Sequence, residues 1–139
     1  MRPAQYGLWA AWAVAVVATA GSLTLSEIYH MVPCVLCWYQ RICMYPLVIL
    51  LAVGIHQKNR KIHLYALPLS LIGLGISIYH NLLYYHIIPE SLAPCVNGVS
   101  CTTRQLELFG FLTIPTQALI AFVLINLFLI IHWRTNKDV

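Results

Sequence analysis

Five cysteines are the residues of this chain best suited to chemistry, and four of them form two close pairs. Cys34 and Cys37 have the spacing Cys-x-x-Cys, whereas Cys95 and Cys101 are separated by five residues. Paired thiols can form structural disulfides, bind a metal ion as thiolates, or exchange electrons with another dithiol. The fifth cysteine, Cys43, lies alone in an apolar stretch, and we interpret it as a small buried hydrophobic residue.

The composition determines where these cysteines must be held. Of the 139 residues, 60% are hydrophobic and only 9% are charged, whereas a water-soluble domain has about 25% charged residues. A soluble fold is therefore excluded, and so is intrinsic disorder, which requires low hydrophobicity. A net charge of +4 is too modest to predict nucleic-acid binding. The length predicts one domain over residues 1–139, an integral membrane protein of the all-α class.

Four stretches contain no Asp, Glu, Lys or Arg, namely residues 3–26, 42–57, 62–89 and 108–133. They predict four membrane-spanning helices, near residues 7–27, 38–56, 63–86 and 109–132. A helix needs about 20 apolar residues to cross the hydrocarbon, because lipid cannot satisfy backbone hydrogen bonds. The second stretch is long enough if its helix begins near Trp38 and Arg41 extends towards the membrane surface. We therefore expect a four-helix bundle.

The basic residues predict the orientation of the bundle. The two termini and the segment between the second and third spans hold six of the eight Lys and Arg residues, which are Arg2, Lys58, Arg60, Lys61, Arg134 and Lys137. The positive-inside rule then places both termini in the cytoplasm and the two short loops, 28–37 and 87–108, outside. All four paired cysteines lie in these extracytoplasmic loops, where disulfides persist.

One alternative concerns the first apolar stretch. Arg2, the apolar run and the small residues 18–20 (Ala-Thr-Ala) together imitate a signal peptide with its cleavage site. The apolar run continues through Leu25, which is longer than such a peptide requires, so we expect an uncleaved first span.

The local sequence favours redox chemistry over the structural and metal-binding alternatives. Cys34 and Cys37 lie at the expected start of the second helix, where the helix dipole stabilises a thiolate. A turn at Asn97-Gly98 would bring Cys95 and Cys101 within bonding reach, in a short and easily attacked disulfide. Two structural disulfides or a four-cysteine zinc site remain alternatives.

Arg41 lies four residues after Cys37 and therefore on the same helix face. It is open to two interpretations. It could be a cation that extends to the membrane surface, or a fixed charge that stabilises the Cys37 thiolate or an electron-accepting oxygen beside it.

These motifs resemble the DsbB family of membrane disulfide oxidoreductases. The resemblance rests on residues 34–41 (CVLCWYQR) between spans one and two, and on the second cysteine pair between spans three and four. Residues 101–105 (CTTRQ), with Phe109-Gly110 and Pro115 after them, are also similar to that family. The short second loop is most like BdbC-type members of Gram-positive bacteria. In vitamin K epoxide reductase relatives the two cysteine pairs occur in the reverse order along the chain, which argues against a resemblance to that group.

The resemblance implies a thiol:quinone oxidoreductase in the plasma membrane of a bacterium. A thioredoxin-like extracytoplasmic thiol oxidase, similar to DsbA or BdbD, would be reoxidised by attack on the second-loop disulfide at Cys95, with Cys101 as its partner. Electrons would pass to the Cys34–Cys37 pair, and Cys37 would transfer them to a membrane quinone, either menaquinone or ubiquinone. Arg41 would stabilise charge on the quinone, and no metal is implied.

Two further expectations complete this interpretation. Alignment with the family suggests that His80, or failing that His86, completes the quinone pocket, although either could simply be a histidine at the membrane interface.

The competing function is a non-catalytic membrane scaffold with a zinc site or structural disulfides. A transporter is less favoured, because the spans contain no buried charge that would mark an ion path.

Overall fold

The computed structural model describes residues 3–93, 100–102, 107–108, 110 and 112–138. Their main elements are four long helices, α1 (Pro3–Glu27), α2 (Val35–His56), α3 (His63–Tyr84) and α4 (Ile114–Lys137). Each is long and apolar enough to cross a membrane. The predicted all-α class with four spans is therefore confirmed, while the direction of the bundle in the membrane stays a prediction.

Short elements lie in the connection between α3 and α4. A 3-10 turn covers Glu90–Leu92, and two strands, β1 (Glu107–Leu108) and β2 (Leu112–Thr113), form an antiparallel pair. Glu107 is opposite Thr113, and Leu108 is opposite Leu112. This small ribbon was not predicted from the sequence.

Three helix starts differ from the span limits predicted from hydropathy, and the first is that of α1, which begins at Pro3 and not near residue 7. Helix α4 begins at Ile114, five residues after the predicted start of the span, because Thr113 caps the helix and its side chain accepts a hydrogen bond from the Thr116 amide. Helix α2 begins at Val35, before the predicted Trp38. Cys34 is therefore the N-cap of α2, and Cys37 lies in its first turn.

The helices pack in cyclic order, with α1 against α2 and α4, and α3 against α2 and α4. The side chains that are almost fully buried between them are mostly apolar, and the largest are Leu47, Leu51, Leu83, Phe122, Ile125 and Leu129. Large apolar side chains such as Val17, Ile49 and Ile72 point outwards and are exposed. Exposed apolar side chains around a helical bundle are expected of a protein surrounded by lipid.

Close packing of α3 against α4 depends on a missing side chain. A Cβ atom built at Gly73 would lie 2.2 Å from Cε1 of the buried Phe122 ring. A Cβ atom at Gly75, on the same helix, would meet nothing within 4 Å. Small residues at helix contacts are a principal means of packing in membranes, since they let two helices approach closely.

We predict that Gly73→Ala destabilises the bundle, whereas Gly75→Ala leaves its stability unchanged or slightly raised. Overpacking a well-packed contact costs about 1–3 kcal/mol, and removing an exposed helical glycine contributes up to about 1 kcal/mol of stability. Thermal unfolding of the two variants in the same detergent measures the difference. Equal unfolding temperatures would contradict the packing of Phe122 on Gly73.

One end of the bundle is held together by a polar contact between α3 and α4. The buried Asn81 side chain donates to the Pro115 carbonyl at 2.9 Å and accepts from the Thr116 hydroxyl at 3.1 Å. Beside it, Cys34, Leu36, Leu83 and Cys101 form a small buried cluster. This end therefore brings the start of α2, the end of α3 and residues 100–102 together.

Candidate redox site

The first cysteine pair lies at the N-terminus of α2. Cys34 has the extended backbone of an N-cap, and its carbonyl accepts the first helical hydrogen bond from the Trp38 amide at 3.1 Å. Both cysteines are free thiols, and their Sγ atoms are 3.2 Å apart. The pair is thus a reduced dithiol in which one sulfur can hydrogen-bond to the other.

A histidine from α3 completes the surroundings of Cys34. His80 is 2% exposed, and its Nε2 lies 3.8 Å from Cys34 Sγ and 3.2 Å from the Cys101 carbonyl oxygen. Its Nδ1 lies 3.2 Å from the side-chain nitrogen of Gln40. Because that amide N–H donates to Nδ1, the ring proton belongs on Nε2, where it faces the sulfur and the carbonyl.

These contacts favour the thiolate form of Cys34. Hydrogen bonding to Cys37, and secondarily to His80, lowers the pKa of the Cys34 thiol to about 4, against the opposing effect of burial. Thiolates are the reactive form of cysteine in disulfide exchange. At neutral pH Cys34 is therefore the ionised sulfur of the reduced pair.

The second cysteine pair is described only in part. Cys95 lies outside the described residues, as does Arg104. Cys101 is disulfide-bonded and 4% exposed, and it packs in the same cluster as Cys34. The structure therefore brings a cysteine of the second loop, through its carbonyl and His80, against the first pair.

Hydrogen bonds fix the segment that carries Cys101. The Thr102 hydroxyl donates to the Glu90 carboxylate and lies 2.8 Å from the Ser100 hydroxyl. The Tyr79 hydroxyl on α3 donates to the Leu92 carbonyl at 2.7 Å. Residues 100–102 are thus tied to the 3-10 turn, and that turn is tied to α3.

Arg41 is held inside the bundle on the other side of the cysteine pair. Its Nε donates to the Ser22 hydroxyl at 2.9 Å, and its Nη2 donates to the Ser22 carbonyl at 3.0 Å. The guanidinium carbon also lies 5.4 Å from the centre of the Trp38 ring. These contacts fix a positive charge between α1 and α2, which supports the second interpretation of this residue.

A cavity of about 560 Å³ lies between α1, α2 and α4, beside Arg41. From α2 it is lined by Cys37, Gln40, Arg41 and Tyr45, and from α1 and α4 mainly by apolar side chains. The Tyr45 hydroxyl is buried without a hydrogen-bond partner among the described residues. A cavity of this size, with apolar walls and a few polar groups, has the character of a small-molecule site.

The cavity accommodates the chemistry of a quinone head group. Its apolar walls suit the ring, while the Arg41 guanidinium and the unpartnered Tyr45 hydroxyl are donors for carbonyl oxygens. His80 is absent from its described lining and lies instead beside Cys34. His86 is exposed in the turn after α3. The structure thus places His80 next to the Cys34 sulfur, and its role in a quinone pocket stays a prediction.

The same atoms could also hold a metal ion. The ligand atoms of Cys34, Cys37 and His80 lie within 4.8 Å of one another. The four-cysteine zinc hypothesis is weakened, however, because disulfide-bonded Cys101 cannot supply a thiolate. A metal at this site would have two cysteines and one histidine as its ligands.

Three contact residues were missed by the sequence analysis, namely Ser22, Gln40 and Tyr45. Gln40 carried a signal, since it is the one side-chain amide in α2 and a polar residue within a span usually has a function. Ser22 and Tyr45 carried no comparable signal, because their roles depend on which helices become neighbours.

We predict that His80→Asn makes Cys34 less reactive at low pH. Asn can reproduce the Nδ1 side of the ring but not the Nε2 donor, so the thiolate loses a hydrogen bond. The pH midpoint of Cys34 alkylation by iodoacetamide, measured on the reduced protein by mass spectrometry, should rise by about one pH unit, so that the reaction is about tenfold slower at about pH 3, below the midpoint. His86→Asn, in the exposed turn, is the matched control and should not change the profile. Identical profiles for all three proteins would contradict the role of His80.

The chain is similar to known disulfide bond formation proteins. The family model described as "Disulfide bond formation protein DsbB" matches residues 4–132. Disulfide bond formation protein C of Bacillus subtilis (strain 168) is 48% identical over 124 residues, which are 88% of each chain. A probable disulfide formation protein of Metapseudomonas resinovorans is 40% identical over 124 residues, 88% of this chain and 86% of that one. No solved structure gave a match.

A third relative extends the pattern. The probable disulfide formation protein C of Halalkalibacterium halodurans is 45% identical over 114 residues, which are 82% of this chain and 83% of that one. Family membership, four spanning helices and a dithiol at the start of α2 together describe a bacterial membrane protein with oxidoreductase chemistry. The chain belongs to the DsbB family of disulfide bond formation proteins.

Proposed function

We propose that this protein reoxidises a thioredoxin-like thiol oxidase outside the cytoplasm and passes the electrons to a membrane quinone. The observation that carries the proposal is the position of the Cys34–Cys37 pair. On one side it meets Cys101 through His80, and on the other side Cys37 faces the apolar cavity beside Arg41. The dithiol thus has a route for electrons to enter and a separate route for them to leave.

Entry of electrons requires two thiol–disulfide exchanges. A thiolate of the reduced partner attacks Cys95 of a Cys95–Cys101 disulfide and releases Cys101 as a thiolate. The partner's second thiol then resolves the mixed disulfide, so the partner is oxidised and this pair holds two electrons and two protons. A second exchange passes them to the Cys34–Cys37 disulfide. The contact of the Cys101 segment with His80 and Cys34 supports this transfer.

The reduced Cys34–Cys37 pair must then form its disulfide again. The Cys34 thiolate lies 3.2 Å from Cys37 Sγ and would form the S–S bond with it as the Cys37 S–H bond breaks. The two electrons released would pass to the acceptor, which would take up the Cys37 proton and a second proton from water. His80 holds Cys34 ionised until then, and Gln40 holds the imidazole in the tautomer that donates to the sulfur. Cys37, on the cavity wall, is the sulfur from which the electron pair leaves.

The cavity residues would bind and orient the acceptor. A bound quinone supplies a site that takes up two electrons and two protons. Arg41, fixed by Ser22, provides a positive charge where negative charge develops, which is the most effective kind of electrostatic assistance in an apolar site. Tyr45 offers a hydroxyl one helical turn deeper, and Gln40 joins the cavity to His80.

The competing function is a metal-bound scaffold, favoured by the three ligand atoms of Cys34, Cys37 and His80. It differs from the redox proposal in what the purified protein contains. A scaffold would bind about one zinc ion per chain and no quinone, and it would tolerate loss of the second cysteine pair. The redox enzyme would contain quinone and depend on both pairs.

We predict that four cysteines are required for quinone reduction. Cys34→Ser, Cys37→Ser, Cys95→Ser and Cys101→Ser should each reduce turnover to background, because each change breaks one of the two disulfides. Cys43→Ser is the matched control and should retain most of the activity, since Cys43 is buried in the apolar core away from the pair. The measurement is anaerobic mixing with a reduced thioredoxin-like protein and quinone, followed by quinone absorbance. No reduction by the unaltered protein would reject the proposal.

A further inference from the structure

A second cavity lies at the opposite end of the bundle from the cysteines. It has a volume of about 620 Å³ and is enclosed by the start of α1, the α2–α3 turn and the last turns of α4. Lys58 and Arg60 line it from the turn, and both are exposed. Nothing in the redox proposal uses this cavity.

The charged side chains at this end are mostly basic. Among the described residues, Lys58, Arg60, Lys61, Arg134 and Lys137 all lie in the α2–α3 turn or in the last turn of α4. Of the four acidic residues of the chain, only Asp138 belongs to this end, and it does not line the cavity. The two cations in the cavity wall therefore face an environment that favours an anion.

The rest of the wall combines fixed amides with apolar surface. His132 donates from Nδ1 to the Ala4 carbonyl at 2.7 Å and accepts at Nε2 from the Asn136 amide at 2.9 Å. The Asn59 side chain accepts from the Lys61 amide at 2.9 Å and so fixes the turn. Leu8 and Trp9 provide an apolar wall on α1, and Trp9 is partly open to the surroundings of the bundle.

We propose that this cavity binds the head group of an anionic phospholipid. Lys58 and Arg60 would contact the phosphate, while Leu8 and Trp9 would contact the glycerol and the first part of the acyl chains. The location of the cavity favours a lipid over a soluble anion as its ligand. The cavity lies at the end of apolar spanning helices, and its wall continues onto their exposed apolar faces. Basic cavities between spanning helices at the membrane surface are typical sites of this kind.

The test compares two double variants with the same change in charge. Lys58→Gln with Arg60→Gln removes both cations from the cavity wall. Lys61→Gln with Lys137→Gln removes two cations from the same end that do not line the cavity. Binding of dioleoyl phosphatidylglycerol to the full chain in detergent is measured by native mass spectrometry, with dioleoyl phosphatidylcholine as the neutral lipid and inorganic phosphate as a competitor.

We expect phosphatidylglycerol to bind more tightly than phosphatidylcholine, and the cavity double variant to bind it about tenfold more weakly. The control double variant should weaken binding less than about threefold. Thermal unfolding in lipid-free detergent shows whether both variants are folded. Equal weakening by both variants, equal binding of the two lipids, or displacement of phosphatidylglycerol by millimolar phosphate would each overturn the lipid assignment. None of these outcomes bears on quinone reduction.

Discussion

The contact between the His80 imidazole and the Cys34 sulfur is the interaction on which the site depends. It joins α3 to the N-terminus of α2, and through the Cys101 carbonyl it also joins the second loop. Gln40 fixes the orientation of the ring from the opposite side. In apolar surroundings a thiolate is costly, because burial opposes charge. The hydrogen bonds from Cys37 and His80 overcome that cost and make a buried sulfur reactive at neutral pH.

The surrounding fold separates the two faces of this dithiol. Towards α3 it meets polar groups and a loop cysteine, and towards α1 and α4 it meets an apolar cavity with one fixed cation. Cys34 lies in the first environment, whereas Cys37 packs against the same cluster and also lines the cavity. A single turn of helix is thus enough to place one sulfur beside a loop cysteine and the other at the wall of an apolar cavity.

Much of the fold could be predicted from the sequence, because the signal for a spanning helix is contained in a continuous apolar run. The four helices and the family follow from such local patterns. The start of α4 could not be predicted in this way. Thr113 ends the ribbon and caps the helix, but it lies within an apolar stretch that shows no break in hydropathy. Helix starts are set by capping hydrogen bonds as well as by hydrophobicity.

The neighbours of the cysteines were harder to predict. The expected role of His80 in a quinone pocket stays a prediction, but the contact of its ring with a sulfur 46 residues away in the chain was not foreseen. Such a contact depends on how α2 and α3 are rotated about their axes, and hydropathy does not determine that rotation closely. Ser22 is another example, because a serine in an apolar helix gives no sign that it will hold the arginine of the next helix.

The most direct measurement tests whether Cys34 and Cys101, which the structure brings together, can form a disulfide with each other. In a Cys37→Ser, Cys95→Ser double variant, Cys34 and Cys101 each lose the partner proposed for them. Cys34 and Cys101 share one buried cluster, so we predict that they form a disulfide spontaneously in air, seen by mass spectrometry as a link between their two peptides. Two free thiols at these positions after oxidation would contradict the proposed path of electrons.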